Sequence, residues 1–273
     1  MTPSSAHRVR RPAVAGTFYP GDPGRLSADV RRYLDGARAP EAGLPPPKAV
    51  IAPHAGYPYS GPIAGTAFRA LAPVASRLRR IVLLGPSHRV PLRGLGTPGA
   101  DAFETPLGEF PVDAELVAAA EALPGVAENP RAHAPEHSLE VELPFLQELL
   151  RDAPGATLLP LVVGDAGPHD VARVLDAVWG GEETAVVISS DLSHYLPYDE
   201  ARRRDGATAE RILALDPTLG PYDACGAAPI NGLLVAAASR GLEPSLLDLR
   251  SSGDTAGDHS AVVGYGAFTF RAA

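Results

Sequence analysis

The chain has 273 residues, which is enough for one large α/β domain. Hydrophobic residues make up 45% of it and charged residues 21%, a composition typical of globular proteins. The 32 acidic residues outnumber the 24 Lys and Arg residues, and the net charge of -8 disfavours non-specific binding to nucleic acid or to an anionic membrane. We therefore expect no nucleic-acid partner and no membrane partner.

Cysteine content and hydropathy bear on the compartment of the protein. Cys225 is the single cysteine, so no internal disulfide can form and an oxidising compartment is not indicated. No apolar run reaches transmembrane length. Residues 1–11 are basic, have no apolar core of the signal-peptide type after them, and are expected to form a loose tail. These features predict a cytoplasmic protein.

Short apolar runs alternate with helical patterns along the chain. Residues 36–47 are typical of a surface linker, and residues 94–111 are predicted to form a hairpin excursion. The helical pattern over 139–150 contains Pro144, which is expected to kink the helix or to mark its start. In chain order, the predicted elements are a helix at 25–34, a strand at 49–52, a helix at 62–71, a strand at 81–84, helices at 113–123 and 139–150, a strand at 158–163, a helix at 168–179, a strand at 185–188, helices at 199–215 and 230–239, and a strand at 261–270.

This alternation predicts the fold class. Short apolar strands separated by helices are typical of a mostly parallel sheet that is buried on both faces. We therefore expect a three-layer α/β/α sandwich around a mostly parallel sheet, with residues 1–273 forming a single domain.

Histidines follow three of the predicted strands. His54, His88 and His194 each lie in the loop after a strand, and Asp191 shortly precedes His194. Ligands of open α/β sheets bind outside the carboxyl ends of the strands, so these loops are expected to share a pocket. The alternative for any one histidine is a solvated or capping residue, but three such placements favour a shared site.

Cys225 lies in a Gly-rich lead-in to the predicted helix at 230–239. It could be a small buried hydrophobe, or it could reach the same pocket, where a helix N-terminus or a metal favours the thiolate. Neutral imidazoles and a thiolate bind iron, copper or zinc and leave coordination positions open for water, oxygen or substrate. His194 and Asp191 are then candidates for proton transfer.

Two further residues are candidates for substrate binding. Tyr57 shares its loop with His54, and His137 precedes Ser138, which could cap the helix over 139–150. Helix capping alone can explain this second segment, so a structural role and a substrate role for His137 both stay open.

Taken together, these segments resemble the Memo family, whose prokaryotic members are called AmmeMemoRadiSam system protein B. The resemblance extends from Arg11 to Gly266, which is nearly the whole chain. It rests on the ordered motifs PHAGYPYSG (53–61), LLGPSH (83–88), EHSLEVELPFLQ (136–147), SSDLSHY (189–195) and CGAAP (225–229).

The resemblance implies a metal site. The Memo family is similar in fold to class III extradiol dioxygenases, non-haem iron enzymes that use two histidines and a glutamate. His54 and His88 match the metal histidines, and Cys225 matches the Memo family's third ligand, in place of the glutamate. His194 matches the catalytic histidine of the dioxygenases, with Asp191 beside it. The family name also associates such proteins with a radical-SAM protein and an AMMECR-type protein.

Three functions are compatible with these observations. The first is a metal-dependent oxidoreductase that acts with oxygen on an unidentified small substrate, with iron(II) as the expected metal and copper or zinc as alternatives. The second is a ligand- or peptide-binding module that keeps a dioxygenase-like pocket without turnover. The third is a metal-free cysteine hydrolase that uses Cys225, His194 and Asp191, although it leaves His54 and His88 without a role.

Overall fold

In the computed structural model, a set of buried parallel strands occupies the centre of the molecule. The structure describes residues 7–39, 43–153 and 155–272. The strands are β1 (Val9–Arg10), β2 (Pro47–Ala52), β3 (Arg80–Pro86), β4 (Leu95–Thr97), β5 (Ala102–Thr105), β6 (Gly108–Pro111), β7 (Val126–Glu128), β8 (Thr157–Val163), β9 (Thr184–Ser189), β10 (His194–Leu196), β11 (Leu242–Ser251) and β12 (Val262–Ala272). The helices are α1 (Pro23–Gly36), α2 (Tyr57–Arg69), α3 (Ala114–Glu121), α4 (Pro130–His133), α5 (Leu143–Leu149), α6 (Pro168–Val178), α7 (Tyr198–Leu213), α8 (Ala227–Ser239) and α9 (Ser252–Thr255), with 3-10 turns at Ala72–Arg77 and Glu140–Glu142.

The main sheet is mixed, with a parallel centre. Its strand order is β10-β12-β2-β9-β3-β8-β4-β7, and β11 pairs with β12. The four central strands β2, β9, β3 and β8 run parallel to one another. Antiparallel pairs join β12 to β2 and β4 to β8. The predicted α/β class with helices around a largely parallel centre is therefore confirmed, and the antiparallel outer strands make the sheet mixed.

Helices cover both faces of this sheet. Consecutive residues of a strand point to opposite faces, so each central strand contributes side chains to both cores. In β2, Val50 belongs to the core shared with α1, α2 and α5, whereas Ile51 belongs to the core shared with α6 and α8. Leu83 and Val82 of β3 divide in the same way. Each such side chain is fully buried, which is worth about 1.5–3 kcal/mol. Within the described ranges, no helix combines the length and apolar composition needed to cross a membrane.

The prolines Pro62 and Pro144 occupy different positions in their helices. The helix predicted at 62–71 begins earlier, at Tyr57, and Pro62 lies inside it. The pattern over 139–150 divides into the 3-10 turn at Glu140–Glu142 and α5, with Pro144 in the first turn of α5. Pro144 therefore marks the start of the α-helix, as expected from its fixed φ and missing N–H.

The N-terminal segment is attached to the domain, in contrast to the loose tail expected for residues 1–11. Residues 1–6 lie outside the described residues, but β1 pairs in parallel with β5, which forms an antiparallel pair with β6. The hairpin predicted within 94–111 is this β5–β6 pair. Arg10 of β1 is 7% exposed, so this residue is held inside the protein.

A buried ion pair explains this attachment. The Arg10 guanidinium donates a hydrogen bond to the Glu140 carboxylate, and the two side chains are 5% and 0% exposed. Glu140 also accepts hydrogen bonds from the backbone amides of Ala13 (2.7 Å) and Val14 (3.0 Å) and from the Tyr19 hydroxyl (2.5 Å). All of these donors come from the N-terminal segment, so one carboxylate anchors it.

Replacement of Glu140 by Gln should lower the free energy of unfolding by about 3–5 kcal/mol, because the Arg10 charge loses its buried partner. Urea denaturation measures the change. The matched control is Glu104→Gln, which removes a pair with Arg11, whose side chain is 74% exposed, and should cost about 0–1 kcal/mol. Equal costs in the two variants would contradict the anchoring role of Glu140.

Candidate metal centre

Three predicted ligand residues meet at the carboxyl edge of the parallel strands. His54 follows β2, His88 follows β3, and Cys225 precedes Gly226, the N-cap residue of α8. One ligand atom from each of them falls within 4.8 Å of the others. The His54 Nε2 and Cys225 Sγ atoms are 3.4 Å apart, and the His54 and His88 ring centroids are 5.3 Å apart. These residues could therefore hold one metal ion.

The donor atoms suit a transition metal. Bonds of about 2.0–2.1 Å to nitrogen and about 2.3 Å to sulphur at a tetrahedral ion give a nitrogen–sulphur edge of roughly 3.6 Å, close to the 3.4 Å observed. The Nδ1 atoms of both histidines are already used, by Ser189 for His54 (2.7 Å) and by Glu136 for His88 (2.9 Å). Each imidazole therefore keeps Nε2 for an ion, as ligating histidines usually do when a second group holds the other nitrogen.

Glu136 orients His88. Its Oε1 accepts from the His88 ring and from the backbone amides of His137 and Ser138, each at 2.9 Å, and its Oε2 accepts from the His88 amide at 2.5 Å. Burial works against ionisation of Glu136, but the hydrogen bonds from His88 and from backbone amides outweigh it and lower the pKa to about 2. A carboxylate thus faces His88 Nδ1 at neutral pH, and that nitrogen must carry the proton.

Sequence reasoning assigned no role to Glu136. The signal available was its position in the EHSLEVELPFLQ motif, next to His137, because a carboxylate is the usual partner of a ligating histidine. The periodic pattern of the segment instead favoured a helix start, and nothing in it pointed to His88, 48 positions away.

The backbone around β9 holds Cys225 in place. The Cys225 amide donates to the Asp191 carbonyl (3.2 Å), and the Asp191 amide donates to the Cys225 sulphur (3.3 Å). The Gly226 amide donates to Ser190 Oγ (2.9 Å), and a Cβ at Gly226 would lie 2.6 Å from the Ser190 Cβ. Only glycine allows this approach. Burial, together with the Asp191 charge, raises the pKa of the Cys225 thiol.

Asp191 is placed next to the ligand group and contacts its backbone. The side chain is buried, and Oδ1 accepts a hydrogen bond from the His54 amide at 2.8 Å. Burial raises the pKa of Asp191 to about 7, against the lowering effect of the His54 and Ala55 amides. These contacts link the loop after β9 to the loop after β2. A role in proton transfer stays a prediction.

His194 lines an open cleft of about 600 Å³ together with His88 and Cys225. The His194 Nδ1 atom lies 2.8 Å from the Leu192 carbonyl, which can only accept, so Nδ1 carries the proton and Nε2 is left with its lone pair. Burial lowers the pKa of His194. Tyr195 and Tyr222, which are 76% and 82% exposed, line the same cleft.

The two predicted substrate residues differ in position. The His137 ring stacks on His88 with centroids 4.8 Å apart and lies 5.4 Å from the His54 ring, so it belongs to the site. Burial lowers the pKa of His137 to about 4. Tyr57 is 1% exposed and donates its hydroxyl proton to the Val141 carbonyl at 2.9 Å. It is a core residue beneath the site and does not line the cleft, because α2 begins at this position and turns the ring inward.

Residues 10–269 match the sequence profile of the family described as Memo-like protein. The chain belongs to this family. It is 38% identical to the MEMO1 family protein MK0963 of Methanopyrus kandleri, over 96% of this chain and 99% of that protein. It is also 38% identical to a MEMO1 family protein of Aquifex aeolicus, over 94% of this chain and 97% of the relative.

Similarity to a solved structure supports the fold of this Memo-like protein. The crystal structure of the uncharacterized protein JW3007 from Escherichia coli K12 superimposes with a TM-score of 0.52 and 16% sequence identity. The match covers 80% of this chain and 98% of that chain. At this level of identity the two proteins share a fold, and the comparison carries nothing about activity.

Replacement of Glu136 by Gln should weaken metal binding by about 10–100-fold, because His88 loses the carboxylate that holds its ring and its Nδ1 proton. Competition with a chromophoric chelator measures the affinity. Glu128→Gln is the control, since that side chain is 52% exposed and lies at the distance limit of an ion pair with Arg8, 4.0 Å. Unchanged affinity in Glu136→Gln would remove Glu136 from the site.

Proposed function

We propose that this Memo-like protein is a metal-dependent oxidoreductase that acts with oxygen on a small substrate, with iron(II) as its metal and copper or zinc as alternatives. The observation that carries the proposal is the group of His54, His88 and Cys225 on three loops, two of whose members also line an open cleft. When bound, the metal would supply oxygen activation and a charge that orients the substrate.

The protein residues have separate tasks in this proposal. His54, His88 and Cys225 hold the ion, and the cleft of about 600 Å³ admits a small molecule beside them. His194 moves a proton at Nε2, since its other nitrogen already donates to the Leu192 carbonyl. Asp191 keeps the loop of His54 in position through the backbone amide of that residue.

The competing functions make different demands on the same residues. A cysteine hydrolase needs a thiolate activated by a base. The imidazole that contacts the Cys225 sulphur is that of His54, at 3.4 Å, and burial raises the pKa of the thiol. The raised pKa disfavours a free thiolate nucleophile, and the neighbouring imidazole of His54 belongs to the candidate ligand group. A binding module without turnover uses the same cleft and is separated from the oxidoreductase by an oxygen-consumption assay.

The partners of this Memo-like protein are part of the proposal. A small molecule is the expected substrate, because the open cleft of about 600 Å³ is lined by two members of the ligand group, His88 and Cys225. A radical-SAM protein and an AMMECR-type protein are proposed as functional associates on the resemblance to the Memo family alone.

His194→Ala should keep the bound metal and slow oxygen consumption by the iron(II)-loaded protein by about 10²–10⁴-fold, because a general acid or base is lost. An oxygen electrode with excess reductant measures the rate, and His169→Ala on the exposed face of α6 is the control. Loss of metal from His194→Ala would make His194 a ligand. No oxygen uptake by any loaded variant would favour the binding module.

Metal binding should release about one proton per ion at pH 7, because only the thiolate is a ligand and the pKa of the Cys225 thiol is raised. Below that raised pKa the free thiol keeps its proton, so the release persists across the neutral range. Calorimetric titration in buffers of different ionisation enthalpy counts the protons. Cys225→Ser should lose both the proton release and much of the affinity for copper. The same release from Cys225→Ser would exclude the thiol from the site.

A further inference from the structure

A buried glutamate lies behind His54 and takes no part in the function proposed above. Glu142 ends the 3-10 turn at Glu140–Glu142 and is 0% exposed. Among the described residues, no Lys or Arg forms an ion pair with it, and its Oε2 has no hydrogen-bond partner. Its Oε1 lies 2.8 Å from the hydroxyl of Ser189, the last residue of β9. An unpaired buried carboxylate of this kind is costly if it is ionised.

The Ser189 hydroxyl has three polar neighbours. They are the His54 Nδ1 atom at 2.7 Å, the Ser138 carbonyl oxygen at 2.6 Å and the Glu142 Oε1 atom at 2.8 Å. A hydroxyl group has one proton to donate and two lone pairs that accept. All three contacts are favourable only if one neighbour accepts and the other two donate.

The identity of the acceptor follows from the chemistry of the neighbours. The Ser138 carbonyl can only accept, so it receives the Ser189 proton. His54 must then donate from Nδ1, and Glu142 must donate from a protonated carboxyl group. If Glu142 were ionised and took the Ser189 proton, the Ser189 oxygen and the Ser138 carbonyl oxygen would face each other at 2.6 Å without a proton between them.

We propose that Glu142 is a neutral carboxylic acid that donates to Ser189 and holds this hydroxyl in the orientation in which it gives its own proton to the Ser138 carbonyl and accepts from His54 Nδ1. His54 then has its proton on Nδ1 and its lone pair on Nε2. Glu142 is then a positioning residue that acts on the ligand group through Ser189. The same tautomer leaves His54 Nε2 facing the Cys225 sulphur. Only the expected effect of Glu142 on metal affinity rests on the proposed function; its protonation state does not.

The surroundings of Glu142 agree with a neutral state. Burial raises the pKa of Glu142 well above its ordinary value; the Ser189 hydrogen bond opposes this rise and the charge of Asp191 adds to it. Tyr57 packs nearby, but its hydroxyl proton goes to the Val141 carbonyl and not to Glu142. The Arg10 cation is already bound to Glu140.

The protonation state can be read directly from the metal-free protein. Infrared difference spectra of the wild type minus Glu142→Gln at pH 7 should contain the carbonyl band of a protonated carboxylic acid, shifted in D₂O. The matched control is Glu136→Gln, which should remove the bands of an ionised carboxylate, since the pKa of Glu136 is about 2. Loss of ionised-carboxylate bands in Glu142→Gln would overturn the proposal.

Metal affinity tests the positioning role. Glu142→Leu, which fills the space without a donor, should weaken zinc binding by about 10–100-fold, because the Ser189 hydroxyl that accepts from His54 loses the donor that orients it. Glu142→Gln should restore most of that affinity, since its amide N–H can donate to Ser189 as the carboxyl O–H does. Glu182→Leu at a position 83% exposed is the control and should bind zinc normally.

The zinc affinities of Glu142→Leu and Glu142→Gln distinguish a hydrogen-bond donor at this position from an anion. Equal weakening in Glu142→Leu and Glu142→Gln would mean that the site needs an anion at this position, and would overturn the proposal. Normal binding in both variants would overturn the positioning role as well. A wild-type protein that binds no metal would defeat the proposed function, while the infrared comparison would still decide the state of Glu142.

Discussion

The hydrogen bonds of the Glu136 carboxylate join the loop of His88 to the segment 136–142, and the arrangement of both at this site depends on them. The Glu136 carboxylate accepts hydrogen bonds from the ring and the amide of His88 and from the amides of His137 and Ser138. The segment 136–142 therefore contacts the carboxyl ends of β3 and β9. Ser138 then reaches the Pro86 carbonyl and, through its own carbonyl, the Ser189 hydroxyl. The histidine loops are therefore held by hydrogen bonds from a neighbouring segment.

Three glutamates of that segment have different surroundings, and each takes a different part in the structure. Glu136 is ionised because several N–H donors outweigh its burial. Glu140 is matched by the Arg10 cation and anchors the N-terminal strand. Glu142 has neither a cation nor backbone donors among its described contacts, and the proton count at Ser189 makes it a donor. Burial alone does not decide the charge of a carboxyl group; the donors within reach decide it.

The elements and the ligand group could be predicted from sequence because both depend on local patterns. Apolar runs at 49–52 and 81–84 mark β2 and β3, and parallel strands end at one edge, which brings His54 and His88 together. The strand β11 was missed because it is an antiparallel outer strand with several exposed residues, which weakens the apolar pattern. The contacts of Ser189 with Glu142 and His54 span 47 and 135 positions and follow no periodicity, so only the folded chain reveals them.

We propose that His54 and His88, with Cys225, hold a metal ion at this edge of the sheet. The most direct measurement is the metal content of protein purified anaerobically without an affinity tag, for the wild type and for the His54→Ala/His88→Ala double variant in parallel. We expect about one transition-metal ion per wild-type chain and very little in the double variant, with unchanged circular dichroism because both residues lie in loops that follow the strands. Full metal occupancy in the folded double variant would contradict it.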